Sequence, residues 1–207
     1  QLKPSARPIA AHDEDEVAVS PADCRLNVFP SLDIATDIWI KGSKFNLESL
    51  FEDPVLAAKY QTGSLVIARL APQDYHRFHS PVTGRLTNYK VIEGAYYTVN
   101  PIAINKAIDV FFFNETAATE IRTKEFDDVC FVAVGATMVG SICMTAEEES
   151  KVHKGDELGY FAFGGSTTLV FFQHGRINYD DDLVVNSLKP IETLVKVGDS
   201  LGTAKPV

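Results

Sequence analysis

Gly164-Gly165-Ser166-Thr167 stands between two apolar runs, Tyr160-Phe161-Ala162-Phe163 and Leu169-Val170-Phe171-Phe172, and delivers one serine into the middle of a β-like pattern. A serine so placed can attack its own backbone. Glycine carries no Cβ, so Gly165 admits conformations that other residues avoid and lets the Ser166 hydroxyl approach the preceding carbonyl. An N→O acyl shift would give an ester. β-Elimination would then cut the chain between Gly165 and Ser166, and the serine remnant would hydrolyse to a pyruvoyl group at the new N-terminus. That ketone is a built-in electrophile, able to form a Schiff base with an amine and to act as an electron sink, as pyridoxal phosphate does. The four residues alone leave a plainer reading open, because Gly-Gly-Ser also serves as an ordinary turn or bulge.

An attacking serine needs a base, and a base is commonly oriented by a carboxylate. Tyr75-His76-Arg77-Phe78-His79 offers two histidines, and Ser20-Pro21-Ala22-Asp23 offers an acid in a short turn after the alternating Val17 and Val19. An imidazole titrates near ~6.5 and can take and return a proton around neutral pH. Asp23, a histidine and Ser166 could form a triad, although chain order proves nothing where geometry decides. The alternative is a pair of histidines bonded to backbone carbonyls.

Ala6-Arg7-Pro8-Ile9, Ala22-Asp23-Cys24-Arg25-Leu26, Trp39-Ile40-Lys41-Gly42, the run from Leu70 to Val82, Tyr97-Thr98-Val99-Asn100-Pro101, the run from Val134 to Ser141, the run from Lys154 to Phe161 and Asp182-Leu183-Val184-Val185-Asn186-Ser187 together resemble the phosphatidylserine decarboxylase family, most closely its eukaryotic branch. The likeness covers essentially the whole chain. It implies a self-processing carboxy-lyase that converts phosphatidylserine to phosphatidylethanolamine and CO₂ with a covalent pyruvoyl cofactor made from Ser166. Residues 1–165 would be the larger fragment, ending at Gly165, and 166–207 the smaller. By the same resemblance His79 is the self-cleavage base, Asp23 its orienting acid and His76 the histidine of the decarboxylation cycle. Tyr97, Asn100, Thr137 and Met138 fall in the resembling segments as candidate substrate-binding residues, with strand packing as their other reading.

One stretch departs from the pattern. After Asn105 the family usually carries an acidic-Asn-basic-Arg run, whereas this chain reads Val110-Phe111-Phe112-Phe113-Asn114-Glu115-Thr116-Ala117-Ala118, with no Lys or Arg from Val110 until Arg122. A phosphate contact supplied by that run would have to come from elsewhere, or another amine would be the substrate. A soluble pyruvoyl-dependent aromatic amino-acid decarboxylase is therefore the competing enzyme. A zinc hydrolase is a third reading, built on His76, His79 and Asp23. Tetrahedral zinc needs a further ligand, and His12, His153 and His174 lie in no recognisable motif, so no metal is expected.

The 207 residues, 45% hydrophobic, suffice for one domain with a sizeable core. A net charge of −9 argues against nucleic acid as the main partner. No run of eighteen or more apolar residues is present. The expectation is an intracellular enzyme that meets the membrane through an apolar rim or a segment outside this chain, with a homodimer allowed. Cys24, Cys130 and Cys143 make no disulfide framework and read as buried thiols. Asn114-Glu115-Thr116 matches a glycosylation acceptor and reads as a chance match.

The elements that must position these groups are mostly strands. Residues 65–70, 129–134 and 168–172 are short apolar runs rich in β-formers. Residues 46–51 and 55–60 are helical candidates, interrupted by Pro54. Val152-His153-Lys154-Gly155-Asp156-Glu157-Leu158-Gly159 is echoed by Val195-Lys196-Val197-Gly198-Asp199-Ser200-Leu201-Gly202, and Ser80-Pro81-Val82-Thr83-Gly84 opens a similar unit. The expected fold is mainly β with a few short helices, a compact barrel-sandwich-like β core with duplicated hairpin units like those of lipoyl and biotinyl carriers. No carrier lysine turn accompanies it, and fold alone does not fix function. The acidic clusters 13–16, 147–149 and 180–182 read as solvated turns without the ordered spacing of a calcium loop.

Overall fold

A computed structural model describes residues 3, 5–39, 46–93, 115–135, 142–162 and 166–205. In chain order the described residues form β1 (Val17–Val19), β2 (Cys24–Phe29), α1 (Leu32–Trp39), α2 (Leu47–Phe51), α3 (Pro54–Tyr60), β3 (Ser64–Leu70), β4 (Arg77–His79), β5 (Gly84–Ile92), β6 (Thr116–Arg122) and β7 (Asp128–Val134). There follow β8 (Ile142–Met144), β9 (Lys151–Val152), β10 (Glu157–Phe161), β11 (Ser166–Phe172), β12 (Ile177–Tyr179), α4 (Asp181–Leu188), β13 (Thr193–Val195) and β14 (Ser200–Ala204). The fold is mainly β with short helices, as expected.

An eight-stranded antiparallel sheet, ordered β13-β2-β3-β11-β7-β6-β5-β9, is the frame. Its ends do not meet, so it is an open sheet rather than a closed barrel. Two three-stranded sheets, β1-β14-β12 and β4-β10-β8, complete the β structure. Side chains on a strand alternate between faces, and the alternation sorts two cores. Val170 and Phe172 of β11 join Val66, Ala68, Phe131 and Ala133 with Phe78, Phe161 and Leu201 of the small sheets. Leu169 and Phe171 join Leu65, Ile67 and Val132 with Leu50, Phe51 and Tyr60 of the helices. Because both faces are covered, β11 is buried at every position, from Ser166, Thr167 and Thr168 through its apolar half Leu169 to Phe172.

The helices start where the sequence supplies caps. The Asn46 side chain accepts from the amides of Glu48 at 2.9 Å and Ser49 at 3.4 Å, and Asp53 does the same for Val55 and Leu56 at 2.9 and 3.1 Å. Pro54 occupies the first turn of α3, where its missing N–H costs nothing, so it opens that helix instead of interrupting one. The Asp180–Asp182 cluster is likewise not a turn: Asp180 stands at the N-cap position of α4 without a side-chain capping bond, and Asp181 and Asp182 lie in its first turn, where carboxylates meet the positive end of the helix dipole.

The echo in the sequence is a duplication in space. Gly155 and Gly198 each sit at the corner of a turn with φ of +85° and +89°, a region that favours glycine. In each turn an aspartate carboxylate accepts an amide hydrogen at 2.7 Å, Asp156 from His153 and Asp199 from Lys196. The glycine amides donate to Ser80 O and Ser20 O, at 2.8 and 3.1 Å. The two Ser-Pro segments exchange bonds across the repeats, Val19 N to Pro81 O at 2.9 Å and His79 N to Pro21 O at 2.8 Å. Strands β4 to β10 form one repeat. Strands β1 to β3 with β11 to β14 form the other, related by a pseudo-twofold through the Val170–Phe131 pair of β11 and β7. The repeat formed by β4 to β10 is therefore inserted into the β3–β11 hairpin of the other.

Candidate active site

That insertion is what places Ser166. In the inserted repeat, β6 and β7 are joined by a tight turn in which Thr123 N donates to Asp127 O at 2.9 Å. At the matching position of the outer repeat, β3 ends at Leu70 and β11 returns at its register partner Ser166, with the whole inserted repeat between them. Ser166 is the first residue of its strand and fully buried, and among the described residues its Oγ has no hydrogen-bond partner. An unpaired buried hydroxyl costs about 1–3 kcal/mol. Thr167 and Thr168, also buried, leave their hydroxyls unpartnered as well.

The histidines lie on β4 and the loop before it. β4 pairs with β10 (Tyr160 opposite Arg77, Glu157 opposite His79). The last residue of β10, Phe161, donates its amide to His76 O at 3.0 Å, and the chain then runs through 162–165 to Ser166. The two histidines thus sit beside the strand that leads into the serine. His79 Nδ1 is 2.8 Å from Gly155 O. A carbonyl only accepts, so Nδ1 carries the hydrogen and Nε2 carries the lone pair. Burial pulls the His79 pKa below its ordinary value, partly offset by the Gly155 bond and the charges of Glu157 and Asp23. The ring is therefore a neutral base at pH 7, and Nε2 is buried with no partner among the described residues. The Tyr75 ring lies against it, centroids 5.8 Å apart. His76 is held the other way round, Nε2 donating to Pro72 O at 3.3 Å, which leaves the lone pair on a buried, unpartnered Nδ1.

Asp23 does not make the hydrogen bond to His79 expected of an orienting acid. That role falls to the Gly155 carbonyl. The carboxylate, 3% exposed, accepts Arg7 Nε at 2.8 Å and Val197 N at 3.0 Å on Oδ1, and Arg7 Nη2 and Lys196 Nζ on Oδ2. Burial alone would raise its pKa, but Arg7, the Val197 amide and Lys196 outweigh it and hold the group below the usual carboxylate range. Asp23 is therefore ionised, pinned and linked to His79 through space rather than by a bond. The duplication explains its position: Thr83, its counterpart, accepts Lys154 N at 3.3 Å in the other turn. Arg7 and Gly155 lie in motifs read from the sequence, but neither Arg7 nor the Gly155 carbonyl was assigned to the site from it. The one available signal was the echo of the Gly-Asp turns, which marks Gly155 as a fixed corner.

Gly165, Tyr97, Asn100, Thr137, Met138 and the departing stretch from Val110 to Asn114 lie outside the described residues. Cys24 and Cys130 are fully buried, and burial pushes both thiols far above their ordinary pKa, so neither is a nucleophile. Among the described residues no group of three or more His, Cys, Asp or Glu side chains gathers into a metal site, and no helix is long and apolar enough to cross a membrane.

The family model for phosphatidylserine decarboxylase matches residues 1–203. The chain is 54% identical over 205 residues to phosphatidylserine decarboxylase proenzyme 2 of Oryza sativa subsp. japonica, covering 99% of this chain and 33% of that protein. It is 51% identical to phosphatidylserine decarboxylase proenzyme 2 of Komagataella phaffii, covering 98% and 20%. Against the phosphatidylserine decarboxylase proenzyme of Fusobacterium nucleatum it is 41% identical, covering 99% and 68%. It thus spans a third or less of the plant and yeast relatives. A match that runs the length of the chain, and a relative 41% identical of which the chain covers 68%, place this protein in the phosphatidylserine decarboxylase family.

Proposed function

We propose that this chain is the catalytic core of a self-processing decarboxylase that converts phosphatidylserine to phosphatidylethanolamine and CO₂, with a pyruvoyl group derived from Ser166. The observation that carries the reading is the combination of a fully buried Ser166 Oγ with a buried His79 Nε2 lone pair, neither of which has a partner among the described residues. The relatives' names, phosphatidylserine decarboxylase proenzyme, supply the substrate and the idea of a precursor.

In maturation, His79 Nε2 takes the Ser166 hydroxyl proton and Oγ attacks the Gly165 carbonyl. The C–O bond forms as the Gly165–Ser166 C–N bond breaks, the nitrogen leaving as the amine of an ester. Loss of the Ser166 α-proton then breaks the Cβ–O bond, releasing fragment 1–165 as a carboxylate, and water replaces the nitrogen of the remnant, which departs as ammonia. Asp23 assists without touching the ring, because its charge favours the imidazolium that His79 becomes. In turnover the pyruvoyl ketone supplies an electrophile for the substrate amine and an electron sink for loss of the carboxylate. His76 Nδ1, just before β4, takes the proton that the substrate amine gives up and returns it to the substrate carbon. The buried setting of Ser166, Thr167 and Thr168 keeps bulk water from the reacting centre.

Tyr97, Asn100, Thr137 and Met138 are assigned to the substrate pocket. A phosphate contact is supplied from outside the departing stretch at 110–118. The lipid substrate sets the enzyme at an intracellular membrane surface, and a homodimer is compatible with this reading. The experiment is competition between substrate classes: kcat/KM of the processed full-length protein for phosphatidylserine in detergent micelles, beside tryptophan and phenylalanine in buffer. Preference for the lipid is expected. Preference for a free aromatic amino acid would overturn the lipid assignment and leave the chemistry at Ser166 standing.

A further inference from the structure

The segment from Arg7 to Val17 lies across both repeats at the points from which Asp23 and His79 are held. Arg7 forks onto the Asp23 carboxylate through Nε and Nη2. Ile9 fills the gap between the two turns: a Cβ on Gly155 would come within 2.4 Å of Ile9 Cδ1, and one on Gly198 within 2.8 Å of the same atom. Ala10 N donates to Gly198 O at 2.8 Å. From the other side Lys154, only 4% exposed, gives its three ammonium hydrogens to Ala11 O, Glu14 O and Val17 O at 2.7, 2.9 and 3.1 Å. Gly155, next along, carries the carbonyl that fixes the His79 tautomer. One strap thus reaches the acid through Arg7 and the base through Ile9 and Lys154.

We infer that Arg7 is a positioning residue for self-cleavage, setting through this strap both the Asp23 charge and the Gly155 carbonyl that aims His79. The inference rests on the reading of Ser166 given above. The duplication provides an internal control for it. Thr83 caps the Lys154 amide as Asp23 caps Val197, with a neutral hydroxyl and no arginine. A turn that required only a cap would be served by threonine. The carboxylate, with an arginine fork to pin it, is an addition confined to the repeat that faces the reacting serine's base.

The test is the rate of self-cleavage in the full-length protein, read as the appearance of two fragments by intact mass, for wild type, Arg7→Ala, Arg7→Lys and Ile9→Ala. Arg7→Ala is expected to slow cleavage by about ten- to a hundredfold, the scale of a small misplacement of reacting groups. Lysine restores part of the rate, as a charge without the fork. Guanidinium ion added to Arg7→Ala restores more, and Ile9→Ala slows cleavage without response to guanidinium. If wild type cleaves while Arg7→Ala cleaves equally fast, the positioning role is refuted and the pyruvoyl reading survives. If Arg7→Ala is slow but neither lysine nor guanidinium helps, the arginine merely stabilises the fold and the inference fails. If wild type itself never cleaves, it is the underlying reading that falls.

Discussion

Asp23→Asn isolates what the pinned carboxylate contributes. The amide can keep the Oδ1 contacts to Arg7 Nε and the Val197 amide, but it turns N–H donors toward Arg7 Nη2 and Lys196 Nζ, which are donors themselves. Hydrogen bonds to charged groups contribute about 1.5–3 kcal/mol, and stranding a fully buried charge costs about 3–5 kcal/mol. The stranded cations here are not fully buried, Arg7 being 24% and Lys196 49% exposed. Water recovers part of the loss, which points to about 2–3 kcal/mol. For a chain of this size each kcal/mol moves Tm by about 2–4 °C, giving a fall of about 4–12 °C. The sign with pH follows from linkage. The folded-state pKa of Asp23 is depressed, so its contribution is fully present above the unfolded value near ~3.9 and disappears as pH falls through the lower folded value. Thermal melts of Asp23→Asn against the parent, both in an uncleavable Ser166→Ala background, should show the full gap at pH 7 and a shrinking gap below pH ~4. A gap under about 1 °C at neutral pH, or one that persists unchanged in acid, would refute the pinned-carboxylate description.

The rate of self-cleavage should hold level across neutral pH and fall only in acid, with a midpoint below the ~6.5 of an ordinary imidazole, because burial lowers the His79 pKa and the neutral ring is the base; single-turnover cleavage at stepped pH measures it, and a midpoint above that value contradicts the assignment. Gly155→Ala and Gly175→Ala form a matched pair, since both glycines have positive φ but Gly155 alone meets a neighbour, Ile9. Gly175→Ala should cost about 1 kcal/mol, and Gly155→Ala about 1–3 kcal/mol more together with slowed cleavage. Equal effects in chemical denaturation and in cleavage assays would remove the strap from the account. His76→Ala should still cut but turn over poorly, which product analysis per mole of cleaved protein will show; an uncut chain would exchange the roles given to His76 and His79.

The strands around Ser166 were legible because β3, β7 and β11 are covered on both faces, so each carries an apolar stretch of four or more residues, 65–68, 129–134 and 169–172. The two turns at Gly155 and Gly198 were legible because a positive φ beside an aspartate that caps its own turn needs the same residues each time. Helix α1 was not foreseen. Nor was α4, where Asp181 and Asp182 serve the helix start although their composition is that of a loop. The partner of Asp23 was beyond local reading for a different reason. Whether the carboxylate meets His79 or Arg7 depends on how the strap from Arg7 to Val17 crosses two repeats, and that is settled by contacts between segments far apart in the chain. The insertion of one repeat into a hairpin of the other, which puts Ser166 at the opening of β11, is likewise a property of topology.

The central claim is that Ser166 becomes the electrophile by cutting the chain in front of itself, and intact mass spectrometry of the purified full-length protein tests it most directly. The account predicts two fragments divided between Gly165 and Ser166, the C-terminal one beginning with a pyruvoyl group that borohydride reduces to a lactyl group, and a single uncut chain for Ser166→Ala. A wild-type protein that decarboxylates phosphatidylserine while uncut, or whose C-terminal fragment begins with an unmodified serine amine, would contradict it.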